Sequence, residues 1–145
     1  GHVIPQLLSR MRELSEDFSR KEIELPIQGT GEETRAFCYI EDAMEAILLC
    51  AVKGKNREIY HIGTGEEVAI AELAHRLARL LGIKIVLKRS ERPAGGTTRR
   101  CPGIGKIAEL GFEPRWSLHD GLKETIAWHA GSQWKAPRER KAIAR

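Results

Sequence analysis

The residue pattern predicts an α/β fold, with short strands alternating with amphipathic helices over 145 residues. Three observations carry that expectation. Ile70, Leu73, Ala74, Leu77, Leu80 and Leu81 recur at i, i+3, i+4 and i+7 and run into Gly82, the pattern of a helix with one buried face and a glycine stop. Ile83–Lys88 (IKIVLK) then alternates apolar and polar, as a half-buried strand does. Strand-like and helix-like periods also take turns through the middle of the chain, which favours a helix-covered sheet.

Taken in order, the chain opens with Pro5, which suits a first helical turn because that turn has no use for its missing donor. Ile4, Leu7, Leu8, Met11 and Leu14 give helical spacing over residues 5–14, and the polar stretch 15–22 reads as a connection. Residues 24–28 (ELPIQ) predict a short strand, with Pro26 at an edge or where backbone groups face a ligand. A glycine turn over residues 29–33 leads into alternation over 35–40, read as a second strand. Asp42 with Glu45 has capping-box spacing for a helix over 43–53, whose small face of Ala43, Ala46, Ile47, Cys50 and Ala51 suits packing on a sheet. Ile59–Ile62 reads as a strand ending at Gly63. The helix over 70–81 has Ala69 at its N-cap, where Ser or Thr would add about 1 kcal/mol. After the strand at 83–88 comes a glycine- and arginine-rich loop, 89–102, then a short helix over 104–110 ended by Gly111. Ser117 and Asp120 form a second capping box, opening a last helix through about Trp128. The strands are few and short, and read as additions to a sheet whose main strands lie elsewhere.

At 41% hydrophobic content the chain can build one core or part of a larger one. The formal charge of +4 comes entirely from residues 135–145, which hold five basic residues and one acid. A nucleic-acid binder spreads basic charge over a folded face, so the composition argues for a basic, solvated tail over 131–145 and against a nucleic-acid partner. Cys38, Cys50 and Cys101 are scattered, without metal-ligand spacing, which argues for free thiols in a reducing cytoplasm and against a metal site. No run of about 18 apolar residues suggests a membrane span, and no signal pattern is visible.

The pentapeptide GTGEE occurs at 29–33 and again at 63–67. Neither copy completes G-x-G-x-x-G, because Thr34 and Val68 stand at the last position. The glutamates would also repel an anion, so both read as plain turns. Arginines carry more chemistry. Arg35 follows a glycine turn, and Arg92, Arg99 and Arg100 share a loop with Gly95 and Gly96. Guanidinium forks match phosphate oxygens, and glycines let backbone approach, so arginines on two loops could clamp a diphosphate. Salt bridges to Glu41, Asp42 or Glu91 are the structural alternative. There is no Ser-His-Asp order and no paired-carboxylate helix. Nor is there a Tyr-x-x-x-Lys, since Ala43 and Thr64 stand four residues after Tyr39 and Tyr60. The chain alone offers no catalytic centre.

Six motifs in unbroken order resemble one family. They are His2–Pro5 (HVIP), Pro26–Asp42, Ile59–Glu67, Arg92–Lys106, Leu110–Pro114 (LGFEP) and Gly121–Trp128 (GLKETIAW). Over residues 2–130 they are similar to the C-terminal, substrate-binding half of extended short-chain dehydrogenases/reductases, the NAD-dependent nucleotide-sugar epimerases and dehydratases of the UDP-glucose 4-epimerase type. The resemblance implies a C-terminal portion of a Rossmann-like enzyme. It implies NAD as cofactor, bound by an N-terminal half that carries the glycine fingerprint and the Tyr-x-x-x-Lys pair and is expected to be missing from this sequence. It implies that residues 1–130 grip the nucleoside diphosphate of a UDP- or dTDP-sugar. His2 and Val3 would lie beside the diphosphate or ribose, backbone around Pro26 and Gln28 against the base, and Arg35 and Arg92 on the phosphates, with Arg99 as a further candidate.

Some positions depart from the family pattern. No acid stands near Ala94–Gly96, Gly103–Lys106 replaces an Asp-x-Ser-Lys pattern, and Ala36 replaces an Asp. The expectation is an enzyme by family, inactive without the missing half, whether that half is a separate Rossmann chain or a truncated portion. Full-length members form homodimers. A stand-alone binding or regulatory module derived from the family is the other reading.

Overall fold

A computed structural model describes residues 2–91 and 95–131. The elements are α1 (Val3–Leu14), β1 (Glu22–Pro26), β2 (Thr34–Ala36), α2 (Ile40–Lys53), β3 (Glu67–Ala69), α3 (Ile70–Leu80), β4 (Lys84–Lys88), β5 (Arg99–Arg100), α4 (Gly105–Ala108) and α5 (Leu118–Gly131). The architecture is mixed α/β, as the periodicities predict. β1 and β4 pair in parallel, Glu22 against Lys84 through Pro26 against Lys88. A second sheet has the order β3-β2-β5, antiparallel on one side of β2 and parallel on the other.

The main core forms where the apolar stripes of α1 and α3 meet the inner face of the β1–β4 pair. Leu7, Leu8 and Met11 of α1, Ile23 and Leu25 of β1, and Leu73, Ala74, Leu77 and Ala78 of α3 are buried there with Leu118 and Leu122 of α5. The expected stripe at 70–81 is therefore the central helix of the fold. Its N-cap is Ala69, without a side-chain cap, and Gly82 takes the left-handed φ of +67° that stops it. A smaller cluster gathers Ala46, Ile107 and Phe112 under α2.

Several boundaries move. The strand expected at 24–28 is 22–26, although the Ile27 amide still donates to the Lys88 carbonyl at 2.9 Å. The strand expected over 35–40 is only Thr34–Ala36, because β3 and β5 beside it are just as short and pairing runs out. Ile59–Ile62 forms no strand, because no strand among the described residues pairs with it. The connection after α1 is a tight left-handed turn, with Glu16, Asp17 and Phe18 at φ of 50°, 57° and 66°. Buried Ser15 holds it by accepting from the Phe18 amide at 2.9 Å. The expected basic tail over 131–145 lies, after Gly131, outside the described residues.

The Asp42–Glu45 capping box does not form, because α2 begins at Ile40 with Tyr39 at its N-cap. Asp42 is instead buried, and its two oxygens accept the backbone amides of Arg115 and Trp116 at 3.2 and 3.1 Å. Glu41 accepts the Trp116 indole N–H at 3.1 Å, and Glu45 pairs with the Arg115 guanidinium. Three acids at the start of α2 thus tie down the chain that leads into α5. The Ser117–Asp120 pair does cap α5: Ser117 Oγ accepts the Asp120 amide at 3.1 Å and donates to the Asp120 carboxylate at 2.6 Å.

Candidate functional site

A cleft of about 540 Å³ opens between α1, the end of β1, the first glycine turn, β2 and residues 95–100. That is within the size range of small-molecule sites. The face of α1 that carries its core stripe continues into the cleft as Val3, Gln6, Leu7 and Arg10, which share helical spacing. His2, the N-cap, borders the cleft too, and its side chain makes no cap bond. The first-turn amides of α1 therefore lack side-chain caps, and the positive end of the helix dipole borders the cleft.

The turn at 29–33 is shaped by its glycines. Gly29 and Gly31 both sit at φ of +80°, where a β-carbon is strained. Gly31 is also tight, since a β-carbon there would lie 2.8 Å from Ile27 Cδ1 and 3.0 Å from Ala71 Cβ. Gly31→Ala is expected to cost about 1–2 kcal/mol in unfolding free energy, the scale of a left-handed alanine, and urea titration reads it directly. The carbonyls of Gly31 and Glu33 accept the Ala71 and Ile70 amides at 2.9 and 3.0 Å, so the start of α3 is closed by backbone. Glu33, expected to repel an anion, folds back onto its own turn, accepting the Gly31 amide at 2.9 Å and the Thr30 amide at 3.3 Å. It still borders the cleft, with its charge partly offset by those dipoles.

Arg35 lies on β2 with its guanidinium at the cleft. Nη2 donates to the Thr97 carbonyl at 2.8 Å, and Nη1 to the carbonyls of Thr34 at 2.6 Å and Thr98 at 3.4 Å. None of the acids considered as alternative partners, Glu41, Asp42 or Glu91, bonds it in the described structure. The guanidinium thus braces the loop before β5 and faces the same space as Arg100, Gly95 and Gly96.

Alternation along β5 separates its two arginines. Arg100 borders the cleft and donates to Thr97 Oγ1 at 3.4 Å. Arg99 lies outside the cleft lining and puts Nε and Nη2 on Glu67 Oε2 at 3.0 and 2.8 Å. Among the other candidates, His2, Val3 and Gln28 line the cleft. Pro26 does not, but its carbonyl accepts from Arg10 Nη1 at 2.9 Å. Arg92 lies outside the described residues. Sequence reasoning missed Arg10, whose place one turn beyond Gln6 on the cleft face was readable from the period of α1.

Glu67 is held below the ordinary glutamate value of 4.5, first by the Thr34 hydroxyl and then by Arg99. A carboxylate depressed in the folded state adds stability above its unfolded pKa, and that contribution is lost as the pH falls through the folded value. Glu67→Gln is therefore expected to flatten the acid limb of a melting-temperature profile below about pH 4.5. Parallel profiles for variant and wild type would count against this ion pair.

Neither GTGEE turn fits the pyrophosphate of a dinucleotide. At the first GTGEE turn the helix amides that could meet a pyrophosphate are taken by carbonyls. At the second, a β-carbon on Gly63 would lie 2.5 Å from Pro102, and Thr64 Oγ1 donates to the Phe37 carbonyl at 3.1 Å. Glu66 there pairs with Arg76 at 2.8 Å and accepts the first amide of α5, from Leu118, at 3.2 Å. Both turns are structural.

Comparison with known proteins places this geometry. The profile of the NAD dependent epimerase/dehydratase family matches residues 1–63. A GDP-L-fucose synthase 1 of Arabidopsis thaliana is 32% identical over 89% of this chain and 39% of its own length. A dTDP-glucose 4,6-dehydratase of Streptomyces niveus is 35% identical over 79% of this chain and 35% of its own. The structure of Thermotoga maritima UDP-glucose 4-epimerase with UDP-glucose superposes with a TM-score of 0.77 at 29% identity, covering 90% of this chain and 40% of that one. A dTDP-glucose 4,6-dehydratase from Bacillus anthracis in complex with NAD superposes at 0.70 and 25% identity, over 89% and 39%. The chain thus spans about two-fifths of the length of these proteins.

Proposed function

Because the chain belongs to the NAD-dependent epimerase/dehydratase family, we propose that it is the part of a nucleotide-sugar enzyme that grips the nucleoside diphosphate. The observation that carries this reading is one cleft bordered by Arg35, Arg100, Arg10 and the uncapped start of α1. Three guanidinium groups and a helix N-terminus converge on a space of ligand size, and that combination suits a diphosphate. Backbone of Gly95 and Gly96 can approach closely, because no side chain stands in the way. Val3 and His2 sit at the helix end where a phosphate or ribose would meet the α1 amides. Gln28 and Ile27 also line the cleft, beside Arg10 on the Pro26 carbonyl, and suit the edge of a base. Arg35 and Arg100 take the phosphates, and Arg92 remains a candidate from the same loop. Arg99 is a bracing residue in this reading, tied to Glu67.

Chemistry at the sugar belongs to a portion of the enzyme outside this chain. A nicotinamide dinucleotide supplies hydride transfer in such enzymes, and neither GTGEE turn is shaped to hold its pyrophosphate. This chain's own work is binding and orientation: it fixes the nucleotide so that the sugar projects from a constant position. We place the protein in the cytoplasm, where nucleotide sugars and free thiols occur together. Among the described residues no helix is long and apolar enough to cross a membrane.

Titration calorimetry tests the reading. The chain is expected to bind UDP, dTDP or GDP while showing no binding of NAD and no turnover of a sugar nucleotide. Absence of binding to all three nucleotides, or measurable NAD binding, would overturn it.

A further inference from the structure

We propose that Glu67, which lies outside the cleft, is a positioning residue for Arg100: by tying Thr34 of β2 to Arg99 of β5, it decides which of two adjacent arginines the cleft receives. The proposal rests on the reading of the cleft as a nucleoside diphosphate site.

Side-chain alternation sorts the sheet β3-β2-β5 into two faces. Arg35 pairs with Val68 on one side and with Arg100 on the other, so these three share a face. Val68 is buried in the core there, and both arginines border the cleft. Thr34, Glu67 and Arg99 share the outer face. Glu67 spans that face. Its Oε1 accepts the Thr34 hydroxyl, and its Oε2 accepts Nε and Nη2 of Arg99 at 3.0 and 2.8 Å. One carboxylate therefore stitches all three strands.

Little else sets the sides of β5. It is two residues long and polar on both faces, the kind of strand whose register is weakly specified. The Thr98 carbonyl accepts the Thr34 amide at 2.9 Å, and Arg35 holds the Thr97 carbonyl at 2.8 Å. Those bonds reach backbone ahead of the strand and leave the direction of its side chains open. Among the described residues Arg100 has one side-chain bond, a long one to Thr97 Oγ1 at 3.4 Å. Arg99 by contrast makes two charge-assisted bonds to one oxygen. The two arginines are chemically identical, so the face that carries the carboxylate takes one and the cleft is left with the other. Glutamine could not substitute, because it has one oxygen for three donors and would turn N–H groups toward a guanidinium.

Calorimetry of the chain with UDP at neutral pH, beside circular dichroism, tests the assignment. Glu67→Gln is expected to raise Kd on the order of fivefold, and Arg99→Ala, which removes an exposed side chain outside the cleft, by about as much. Arg100→Ala should raise Kd on the order of tenfold. Adding Glu67→Gln to Arg100→Ala should change nothing further, because the carboxylate acts through Arg100. Unchanged affinity in either single variant of the Glu67–Arg99 pair would overturn the proposal. So would a Glu67→Gln loss that persists in full on the Arg100→Ala background, which is what a merely structural role produces. Should Glu67→Gln lose its helical circular dichroism, Arg99→Ala with and without Arg100→Ala gives the same comparison. A second readout needs no nucleotide. The nuclear Overhauser contact between the Arg100 side chain and the Thr97 methyl group is expected in the wild type and weakened in Arg99→Ala and Glu67→Gln, and equal strength in all three would also overturn the proposal. If the wild-type chain binds no UDP while that contact weakens as expected, the functional reading falls and the positioning of Arg100 stands. If Arg100→Ala weakens UDP binding while Glu67→Gln leaves both binding and contact untouched, this proposal falls alone.

Discussion

Replacing Arg35 by alanine is expected to weaken nucleoside diphosphate binding by about 1.5–3 kcal/mol, the scale of a hydrogen bond to a charged group and roughly a ten- to 150-fold rise in Kd. Two losses combine. One is the guanidinium charge in the cleft. The other is the brace on the loop, because Nη2 holds the Thr97 carbonyl at 2.8 Å and Nη1 the Thr34 carbonyl at 2.6 Å. Arg35→Lys separates them, since it keeps the charge but cannot span two carbonyls as a planar fork does. If charge dominates, lysine recovers most of the affinity; if bracing dominates, lysine resembles alanine. Calorimetry with UDP, dTDP and GDP reads both variants, and unchanged affinity in Arg35→Ala would remove the residue from the site.

Asp42→Ala is expected to cost about 2–4 kcal/mol of folding stability, because it strands two backbone donors in a closed environment. Asp42 is 1% exposed, and its oxygens are what Arg115 and Trp116 bond to. Asn would not rescue it fully, since it has one acceptor oxygen where two donors converge. Nearby, the Trp116 ring stacks on Tyr39 with centroids 4.2 Å apart, so loosening this stretch should change tryptophan fluorescence before global unfolding. Urea titration followed by fluorescence and by circular dichroism tests both points. A variant as stable as wild type would mean the amides find other partners.

The elements most legible in the sequence were those whose stability is local. α3 appears with its expected stripe, N-cap and glycine stop because a 3.6-residue period suffices to specify a helix against a core. Ser117 and Asp120 are likewise three residues apart, and their cap formed. Asp42 and Glu45 have the same spacing, but partners 73 and 70 residues away claimed both carboxylates. Nothing in a local pattern announces such a pairing. Ile59–Ile62 has the composition of a strand and fails to become one for want of a neighbour, which is a property of the surroundings.

At the cleft, the glycine turn and Arg35 were readable, and the fate of Glu33 was not, because its acceptors serve the turn itself. Arg10 followed from helical spacing and was passed over. The choice between Arg99 and Arg100 was illegible for a different reason. Adjacent arginines in a loop look equivalent until a two-residue strand gives each a side.

That last feature makes β5 a selector switch whose setting depends on chain length. Thr34 stands opposite Arg99, and Arg35 opposite Arg100. One codon gained or lost between Gly96 and Thr98 would slide the strand by one position and exchange inward and outward sides. Arg99 would then turn toward the cleft, and Arg100 toward Glu67. The cleft would keep an arginine whichever way the length drifted, so a doubled arginine makes this cleft-facing position tolerant of the insertions and deletions that loops accumulate.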